Sequence, residues 1–484
     1  MRYISSRGDA PALSFDEVLL TGLARDGGLY VPEKWPHFDA AALRDMASLS
    51  YVEQVVRLTH PFVGKAIPEA AYADLVVDSY SAFDHDPVAP LVDLGGGIHL
   101  MELFHGPTLA FKDYALQLVG RLFNHVLESR GERVTILGAT SGDTGSAAIS
   151  GCVACPSVDV FMLHPKGRVS EVQRRQMTTV DAPNVFNIAI DDDFDCCQDL
   201  VKTLFNDTAF RNDMRLSAVN SINWARIMAQ TVYYFSAALS LGAPEHEVSF
   251  AVPTGNFGNV YAGYAARCMG LPIKRLIIGS NRNDILTRFF DSGTMEMHEV
   301  TPSLSPSMDI QVSSNFERLL FDLYDRDGKR VAAAMAKFRE SGRLKLEPEF
   351  YRTACELFAA CRLDDEGTLA AIAREYKNTG ILLDPHSAIG VYAARQLGGD
   401  ATAEGIPVVA LATAHHAKFP EAVEEAIGTP PKIPESLAGL AGFEERFQVL
   451  PADVDAVAVY VREHAAVMAQ AARGKGRESE GETP

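Results

Sequence analysis

The residue best placed for chemistry in this chain is Lys112, in the segment HGPTLAFKD at 105–113. The pattern predicts a short apolar strand just before this segment and a helix that begins at the lysine. The positive end of a helix dipole disfavours a second positive charge there. Such a position suits an amine that must lose its proton and attack a carbonyl. Lys112 is therefore a candidate Schiff-base lysine, and pyridoxal phosphate is the cofactor that this chemistry indicates.

Two loops rich in glycine and hydroxyl residues follow predicted strands and open predicted helices. We call them the first glycine loop (138–146) and the second glycine loop (253–259). Both can offer backbone N–H groups to an anion at the carboxyl end of a strand. Either loop alone is as easily an ordinary turn, but both together with Lys112 favour a binding site. The candidate residues are Thr140, Ser141, Gly142, Asp143 and Thr144 in the first loop and Gly255, Asn256, Phe257, Gly258 and Asn259 in the second.

The two loops suit different anions. The second lacks the lysine of a nucleotide-binding loop, so it is suited to a single phosphate. The hydroxyls of the first suit a carboxylate or another anion. A third loop contains Thr413, whose hydroxyl can face the pyridine nitrogen of the cofactor. Taken alone, Thr413 is better explained as a helix cap or a turn residue.

The elements that must position these residues form an α/β pattern. From residue 98 onward, short continuous apolar runs alternate with helical patterns, as expected for parallel strands buried on both faces. Before that point the chain reads as mainly helical, and Ser14 with Glu17 forms a capping box. The predicted strands are 98–103, 134–137, 158–163, 185–190, 248–252, 273–278 and 408–412.

Changes in composition and the positions of proline and glycine predict four segments. A Pro- and Gly-rich stretch at 86–97 separates the helical start of the chain from the first βαβ units. The end of the chain, 473–484, is charged and rich in small residues, and is predicted to be frayed. The segments are a mainly helical domain (1–95), an α/β subdomain with Lys112 and the first glycine loop (96–250), an α/β subdomain with the second glycine loop and a helical insertion at 318–375 (251–430), and a C-terminal segment (431–484).

The bulk composition excludes several classes of function. A net charge of −19 argues against binding to nucleic acid or to an anionic membrane through the overall field. No stretch is long and apolar enough to span a bilayer, and the first residues lack the apolar core of a signal peptide. Seven cysteines without a framework spacing indicate reduced thiols. These features predict a cytoplasmic protein without a metal site.

Seven motifs follow one another along the chain. They are HGPTLAFKD, TSGDTGSA, PKGRVS, NSINWARI, PTGNFGN, MDIQVSSNFERLL and DPHSA. In this order they resemble the threonine synthase family, in its longer branch, and the resemblance covers nearly the whole chain, from residue 14 to residue 419. It implies a fold-type-II pyridoxal-phosphate enzyme similar to tryptophan synthase β, with two open, twisted, mostly parallel sheet subdomains and a mainly helical N-terminal domain.

The resemblance also implies a reaction and a role for each loop. Lys112 is the Schiff-base lysine, the second glycine loop holds the cofactor phosphate, and Thr413 faces the pyridine nitrogen. The first glycine loop lines the side of the substrate carboxylate. The implied reaction converts O-phospho-L-homoserine and water to L-threonine and phosphate, by elimination of the γ-phosphate followed by hydration at Cβ.

A substrate with a phosphate as well as a carboxylate needs a second anion site. The cationic candidates are Lys166, Arg168 and Arg226, and polar groups of Ser221 and Asn223 can assist. Arginine suits this task because it donates two parallel hydrogen bonds to a phosphate. Each cation is equally well explained as a solvated charge at a helix end.

Two alternatives remain open from the sequence. A phospholyase or dehydratase on the same scaffold would release phosphate but form a 2-oxo acid. A non-catalytic protein that binds pyridoxal phosphate or a metabolite would release nothing. The expected partner is a small-molecule substrate, with no nucleic acid and no membrane, and the expected oligomeric state is a monomer or a homodimer.

Overall fold

The computed structural model describes residues 1–466 of the chain. These residues form two compact units, each made from two separate stretches. The first unit contains Met1–Ala115 and Ser221–Pro434, and the second contains Leu116–Asn220 and the described residues from Glu435 onward. The segment 473–484, predicted to be frayed, lies outside the described residues.

The secondary structure alternates between strands and helices over most of the described chain. The strands are β1 (Tyr3–Ser5), β2 (Tyr30–Pro32), β3 (Leu91–Asp93), β4 (Ile98–Glu102), β5 (Val134–Ala139), β6 (Val158–Pro165), β7 (Val185–Ile190), β8 (Leu216–Ser217), β9 (Val248–Pro253), β10 (Ile273–Ser280), β11 (Thr294–Glu296), β12 (Arg343–Lys345), β13 (Phe358–Arg362), β14 (Val408–Ala412) and β15 (Gln448–Leu450). The helices are α1 (Phe15–Thr21), α2 (Ala40–Met46), α3 (Tyr51–Val63), α4 (Glu69–Tyr80), α5 (Asp113–Arg130), α6 (Asp143–Cys152), α7 (Glu171–Thr178), α8 (Phe194–Asn206), α9 (Thr208–Asp213), α10 (Trp224–Ser240), α11 (Gly258–Cys268), α12 (Ile285–Ser292), α13 (Phe316–Leu323), α14 (Gly328–Ser341), α15 (Pro348–Leu357), α16 (Asp365–Thr379), α17 (Pro385–Leu397), α18 (Gly399–Ala403), α19 (Pro420–Ile427), α20 (Glu435–Ala438) and α21 (Val454–His464).

The first unit is built on a six-stranded sheet in the order β13-β10-β9-β14-β4-β3. All neighbours in it are parallel except β3, which runs antiparallel to β4. Every residue of β9 and β14 is buried, as expected for strands covered by helices on both faces. Helix α17 packs its buried face on this sheet, and Ile389 and Val391 lie in its core.

The start of the first unit is mainly helical and begins with a short hairpin. Strands β1 and β2 pair antiparallel, and helices α1 to α4 follow. Ser14 caps α1, and the Glu17 carboxylate accepts from its backbone N–H at 2.8 Å, so the predicted capping box is confirmed. The buried hydroxyl of Tyr3 donates to the Phe62 carbonyl at 2.8 Å, which ties β1 to α3.

The second unit contains a five-stranded, fully parallel sheet in the order β15-β7-β6-β5-β8. Its core contains Phe161, Ile188 and Leu200 together with Val457 and Val461 of α21. Strand β15 and helix α21 come from the far end of the described chain. The unit is therefore completed by residues that lie more than two hundred positions after its first strands.

The predicted α/β fold and all seven predicted strands are confirmed, and no strand end differs from its predicted position by more than two residues. Strand β13 was missed, because it lies inside the predicted helical insertion at 318–375. The three short edge strands β3, β8 and β15 were missed as well, since each offers too few residues for a pattern. Within residues 1–466, no helix combines the length and the apolar composition needed to cross a bilayer.

Candidate active site

Three candidate loops of the first unit follow three neighbouring parallel strands. Lys112 follows β4, Thr413 follows β14, and the second glycine loop follows β9. Since the carboxyl ends of parallel strands meet at one edge of a sheet, these loops share that edge. Backbone hydrogen bonds join the first two directly, from Phe111 N to the Thr413 carbonyl at 2.9 Å and from His415 N to the Leu109 carbonyl at 3.1 Å.

Lys112 is buried at the start of α5, as the sequence predicts. Only 7% of the residue is exposed, and the helix begins at the next residue, Asp113. The Lys112 Nζ atom lies 5.1 Å from the centre of the Phe111 ring. A buried amine beside a helix start is suited to attack a carbonyl group.

Thr413 is held by the N-terminus of α17. Its backbone N–H donates to the Ser387 hydroxyl at 3.0 Å, and that hydroxyl donates to the Asp384 carboxylate. Asp384 caps α17 by accepting from the backbone of His386 at 2.9 Å, and it also contacts the His386 ring. The DPHSA motif therefore supports the strand-to-loop turn that presents Thr413.

The second glycine loop connects β9 to α11 and has its carbonyl groups held from one side. The Ser313 hydroxyl donates to the Gly255 carbonyl at 2.6 Å, and the Asn315 amide donates to the Asn256 carbonyl at 2.9 Å. Arg318 donates to the Asn315 side chain in turn. The residue before α11, Phe257, has a φ of +61°, a left-handed conformation that turns the chain into the helix.

The hydrogen bonding of Asn259 shows whether this loop fits a phosphate. Its Oδ1 atom accepts from the hydroxyls of Tyr233 at 2.6 Å and Tyr234 at 3.0 Å. Its Nδ2 atom is buried and has no hydrogen-bond partner among the described residues. Such an orphaned donor at the start of a helix needs an acceptor. The phosphate of pyridoxal phosphate would provide one, so the residues present fit this cofactor.

The first glycine loop belongs to the second unit, and several of its polar groups form hydrogen bonds within that unit. The Thr140 hydroxyl accepts from Gly142 N at 3.0 Å and from Gly145 N at 2.9 Å. Asp143 is buried and accepts from the Gln173 amide at 2.7 Å, which ties α6 to α7. Ser141 and Thr144 are half-buried. The half-buried hydroxyls are better placed to meet a ligand than Thr140 or Asp143.

The cationic candidates differ most in burial. Arg226 lies on α10 with 4% of its surface exposed, and burial lowers its pKa to about 10. It therefore stays charged at neutral pH. Lys166 and Arg168 of the second unit are exposed, and Lys166 pairs with Asp191 at 3.5 Å. A buried guanidinium gains more from a phosphate dianion than an exposed cation does, because water screens the exposed one.

The two polar candidates beside Arg226 differ in what their side chains already do. The Asn223 side chain caps α10 by accepting from Ala225 N at 3.0 Å, and it donates to the Leu19 carbonyl at 2.9 Å. Ser221 lies in the preceding loop and is half-buried. Asn223 thus positions the start of α10, where Arg226 lies.

Sequence reasoning assigned no role to several side chains that support these loops. Their signal was present in the quoted motifs, but a motif alone does not say which loop a side chain reaches. The tyrosines had no signal, because they look like ordinary core residues of an apolar helix. These supporting residues are Asp113, Lys418, Ser313, Asn315, Asp384, Ser387, Tyr233 and Tyr234.

His415, two residues after Thr413, makes the stability of the folded protein depend on pH. Burial, and the neighbouring His416, lower the pKa of His415 to about 3. Its Nδ1 atom is 3.1 Å from Ala417 N–H, which donates to the neutral ring. In the unfolded chain a histidine accepts a proton near its ordinary pKa, while folded His415 does not. The stability that it contributes is therefore present above that ordinary pKa and is lost as the pH falls.

We expect the free energy of unfolding to be about 1 kcal/mol lower near pH 5.5 than near pH 7.5 because of His415. Urea titrations at the two pH values measure this difference. The His415→Gln variant should show a smaller difference between the two values. An identical pH dependence in the variant would contradict the assigned cause.

Family models match the chain in three consecutive parts. The model for the threonine synthase N terminus matches residues 2–80, and the model for pyridoxal-phosphate dependent enzymes matches residues 87–348. The model for the threonine synthase C-terminal region matches residues 387–461. The second match includes Lys112 and both glycine loops, and the third includes Thr413.

Individual relatives agree with the family models. A threonine synthase of Pseudomonas aeruginosa is 56% identical over 465 residues, which cover 96% of this chain and 98% of the relative. The crystal structure of pyridoxal-phosphate-bound threonine synthase from Brucella melitensis has a TM-score of 0.93 at 50% identity, covering 96% of this chain and 99% of that chain. The yeast threonine synthase structure has a TM-score of 0.91 at 39% identity, with the same coverage.

These matches confirm the resemblance, the fold-type-II class and the cofactor predicted from the motifs. They fall on three consecutive parts of this chain rather than on one shared domain. The chain belongs to the threonine synthase family of pyridoxal-phosphate-dependent enzymes.

Proposed function

We propose that this enzyme converts O-phospho-L-homoserine and water to L-threonine and phosphate. The observation that carries the proposal is the common sheet edge that presents Lys112, Thr413 and the second glycine loop. One loop offers an amine, one a hydroxyl and one a phosphate cradle, which are the three contacts that pyridoxal phosphate requires. The same edge is where open parallel sheets bind their ligands.

The residues that would hold the cofactor have separate tasks. Lys112 would attach it covalently, the second glycine loop would bind its phosphate with backbone N–H groups and the Asn259 amide, and Thr413 would face its pyridine nitrogen. When bound, pyridoxal phosphate supplies an electron sink that stabilises negative charge at the substrate Cα. A neutral hydroxyl partner at Thr413 would leave the pyridine nitrogen largely unprotonated.

Lys112 would also move a proton. With its amine free, the Lys112 Nζ atom would accept the substrate Cα proton as a general base. In the net reaction the γ-phosphate leaves Cγ, which gains a proton, and Cβ loses a proton and gains the hydroxyl of water. Lys112 would hold the cofactor again once threonine has left.

Two anion sites would orient the substrate. The first glycine loop, from Thr140 to Thr144, would bind the carboxylate, chiefly through backbone N–H groups and the hydroxyls of Ser141 and Thr144. Arg226 would bind the phosphate with two parallel hydrogen bonds. Ser221, Lys166 and Arg168 remain further candidates for the phosphate, and Asn223 would act by holding the start of α10.

The buried position of Arg226 leads to a prediction about substrate affinity. In the Arg226→Leu variant, we expect the KM for O-phospho-L-homoserine to rise by roughly ten- to a hundredfold. The Arg168→Leu variant should change KM by less than about threefold, because Arg168 is exposed. Steady-state kinetics on both variants test this contrast. A larger KM effect at Arg168 would assign the phosphate to that residue instead.

Product analysis tests the proposed function. The holoenzyme is incubated with O-phospho-L-homoserine, and the products are separated by chromatography. We expect equal amounts of phosphate and threonine. Phosphate with a 2-oxo acid would indicate the phospholyase or dehydratase alternative, and no released phosphate would indicate a non-catalytic binding protein.

Two broader expectations accompany this function. We expect the enzyme to act in the cytoplasm as a monomer or a homodimer on its small-molecule substrate. Light scattering after gel filtration measures the oligomeric state. A larger assembly would contradict the expectation without affecting the proposed reaction.

A further inference from the structure

The turn that precedes Lys112 is held by two buried charged residues of opposite sign. The Asp113 carboxylate accepts from the backbone N–H of Thr108 at 2.8 Å and from its hydroxyl at 2.7 Å. The Lys418 ammonium donates to the Thr108 carbonyl at 2.8 Å. Asp113 and Lys418 are both 0% exposed. We call these three residues the Thr108 clamp.

Holding a turn with two buried charges carries a large desolvation penalty. Removing each ion from water costs several kcal/mol, and well-packed apolar residues often stabilise a fold equally well. Burial raises the pKa of the Asp113 carboxyl to about 6, while the bonds from Thr108 and the charge of Lys418 oppose that rise. The carboxylate therefore remains ionised at neutral pH, and its hydrogen bonds from Thr108 are charge-assisted.

The backbone of this turn is constrained at its other residues as well. Leu109 has a φ of +57°, and its N–H donates to the Gly106 carbonyl at 3.0 Å. A Cβ atom at Gly106 would lie 2.5 Å from the Asp113 Cβ atom, so only glycine fits there. The Asp113 side chain thus fills the space inside the turn. Because Asp113 is the next residue after Lys112, its anchoring fixes the direction in which the lysine leaves the backbone.

The clamp also connects two parts of the proposed site. Lys418 lies five residues after Thr413, and its N–H donates to the His415 carbonyl at 3.1 Å. The bond from Lys418 to Thr108 therefore ties the Thr413 loop to the Lys112 segment through side chains. It adds to the backbone bond between Phe111 and Thr413.

We propose that Asp113 and Lys418 are positioning residues that set the place of the Lys112 amine relative to Thr413. This inference rests on the proposed function, in which Lys112 attaches the cofactor and Thr413 faces its ring. The clamp would touch neither cofactor nor substrate. It acts on the reaction only through the position of Lys112.

The test compares Asp113→Asn, Lys418→Met and the double variant with a partly buried ion pair elsewhere. That control is Glu375→Gln with Arg395→Met, since the buried Glu375 carboxylate on α16 pairs with the half-buried Arg395 on α17 at 2.6 Å. All variants are loaded with pyridoxal phosphate. We measure the visible absorbance of the lysine-attached cofactor against pH, the rate at which borohydride traps it on Lys112, and kcat and KM separately.

In the two single clamp variants, we expect the pH midpoint of the cofactor absorbance to shift and kcat to fall by roughly ten- to a hundredfold. KM should change by less than about threefold, because the substrate anion sites are untouched. The double variant should lose less than the product of the two single losses, since neither buried charge is left alone. The control pair should lower the melting temperature without moving the absorbance midpoint.

If a substitution at Asp113 or Lys418 prevents folding, substitutions at Thr108 test the proposal instead. Thr108→Val removes the hydroxyl that Asp113 accepts from, and Thr108→Ser restores it. We expect the absorbance midpoint to shift in the valine variant and to return in the serine variant. An unchanged midpoint and trapping rate in every folded clamp variant would overturn the proposal.

The same measurements separate this proposal from the proposed function. If borohydride traps no cofactor on Lys112 in the wild-type enzyme, the assignment of Lys112 itself fails. If the wild type traps cofactor on Lys112 and forms threonine, but the clamp variants match it, only the positioning proposal fails.

Discussion

The Lys112→Ala enzyme is expected to lose at least about a thousandfold in turnover, because one amine both attaches the cofactor and moves the Cα proton. The visible absorbance of the lysine-attached cofactor should disappear. Non-covalent binding of pyridoxal phosphate should persist, since the second glycine loop and Asn259 are unchanged. Steady-state assays, absorbance spectra and equilibrium dialysis with pyridoxal phosphate measure these three properties.

Two further variants show whether the loss of turnover comes from the missing neutral amine at residue 112. Lys112→Arg keeps a positive charge but cannot supply a neutral amine, so it should be as inactive as the alanine variant. Lys377→Ala removes an exposed lysine on α16 and should leave turnover unchanged. Steady-state activity close to wild type in Lys112→Ala would refute the assignment of Lys112.

Valine at Gly255 is expected to weaken the binding of pyridoxal phosphate by roughly ten- to a hundredfold. A Cβ atom there would lie 3.0 Å from the Ser307 carbonyl oxygen and 3.1 Å from the Met308 Cα atom. Both are backbone atoms, so neither can rotate away. The Gly255 carbonyl is also held by Ser313 at 2.6 Å. Relieving the clash therefore moves the loop, and overpacking of this kind costs about 1–3 kcal/mol.

Equilibrium dialysis with pyridoxal phosphate measures this effect on affinity. Gly399→Val is the matched control, because a Cβ atom at this exposed first residue of α18 meets nothing within 4 Å. The control should bind the cofactor as the wild type does. Equal affinity in Gly255→Val and the wild type would show that the second glycine loop does not hold the phosphate.

The tertiary structure shows that some candidate side chains make hydrogen bonds that hold the fold. Asp143 and Asn223 both lie in motifs that suggest ligand binding. In the structure the Asp143 carboxylate accepts from the Gln173 amide, and the Asn223 amide donates to the Leu19 carbonyl. These partners lie 30 and 204 residues away. A local pattern identifies which residue can donate or accept a hydrogen bond. It does not identify which remote group already uses that capacity.

The division into compact units shows the same limit at a larger scale. The sequence suggested consecutive segments, whereas each compact unit combines two separate stretches. Strand β15 and helix α21 complete the sheet and core of a unit whose other strands end at Ser217. Short turns and composition changes mark where elements end, but no window of sequence records which distant strand pairs with which.

By itself the sequence determined the chemical parts of this protein: the lysine at a helix start, the two glycine loops, Thr413 and the continuous apolar strands of a parallel sheet. Each of these is encoded within about ten residues, as a periodicity, a cap or a turn. Only the tertiary structure decided how the parts are held, through Ser313 and Asn315 on the second glycine loop, Ser387 on Thr413 and Lys418 on Thr108. These contacts depend on the packing of distant segments and on side-chain conformations, which no local pattern specifies.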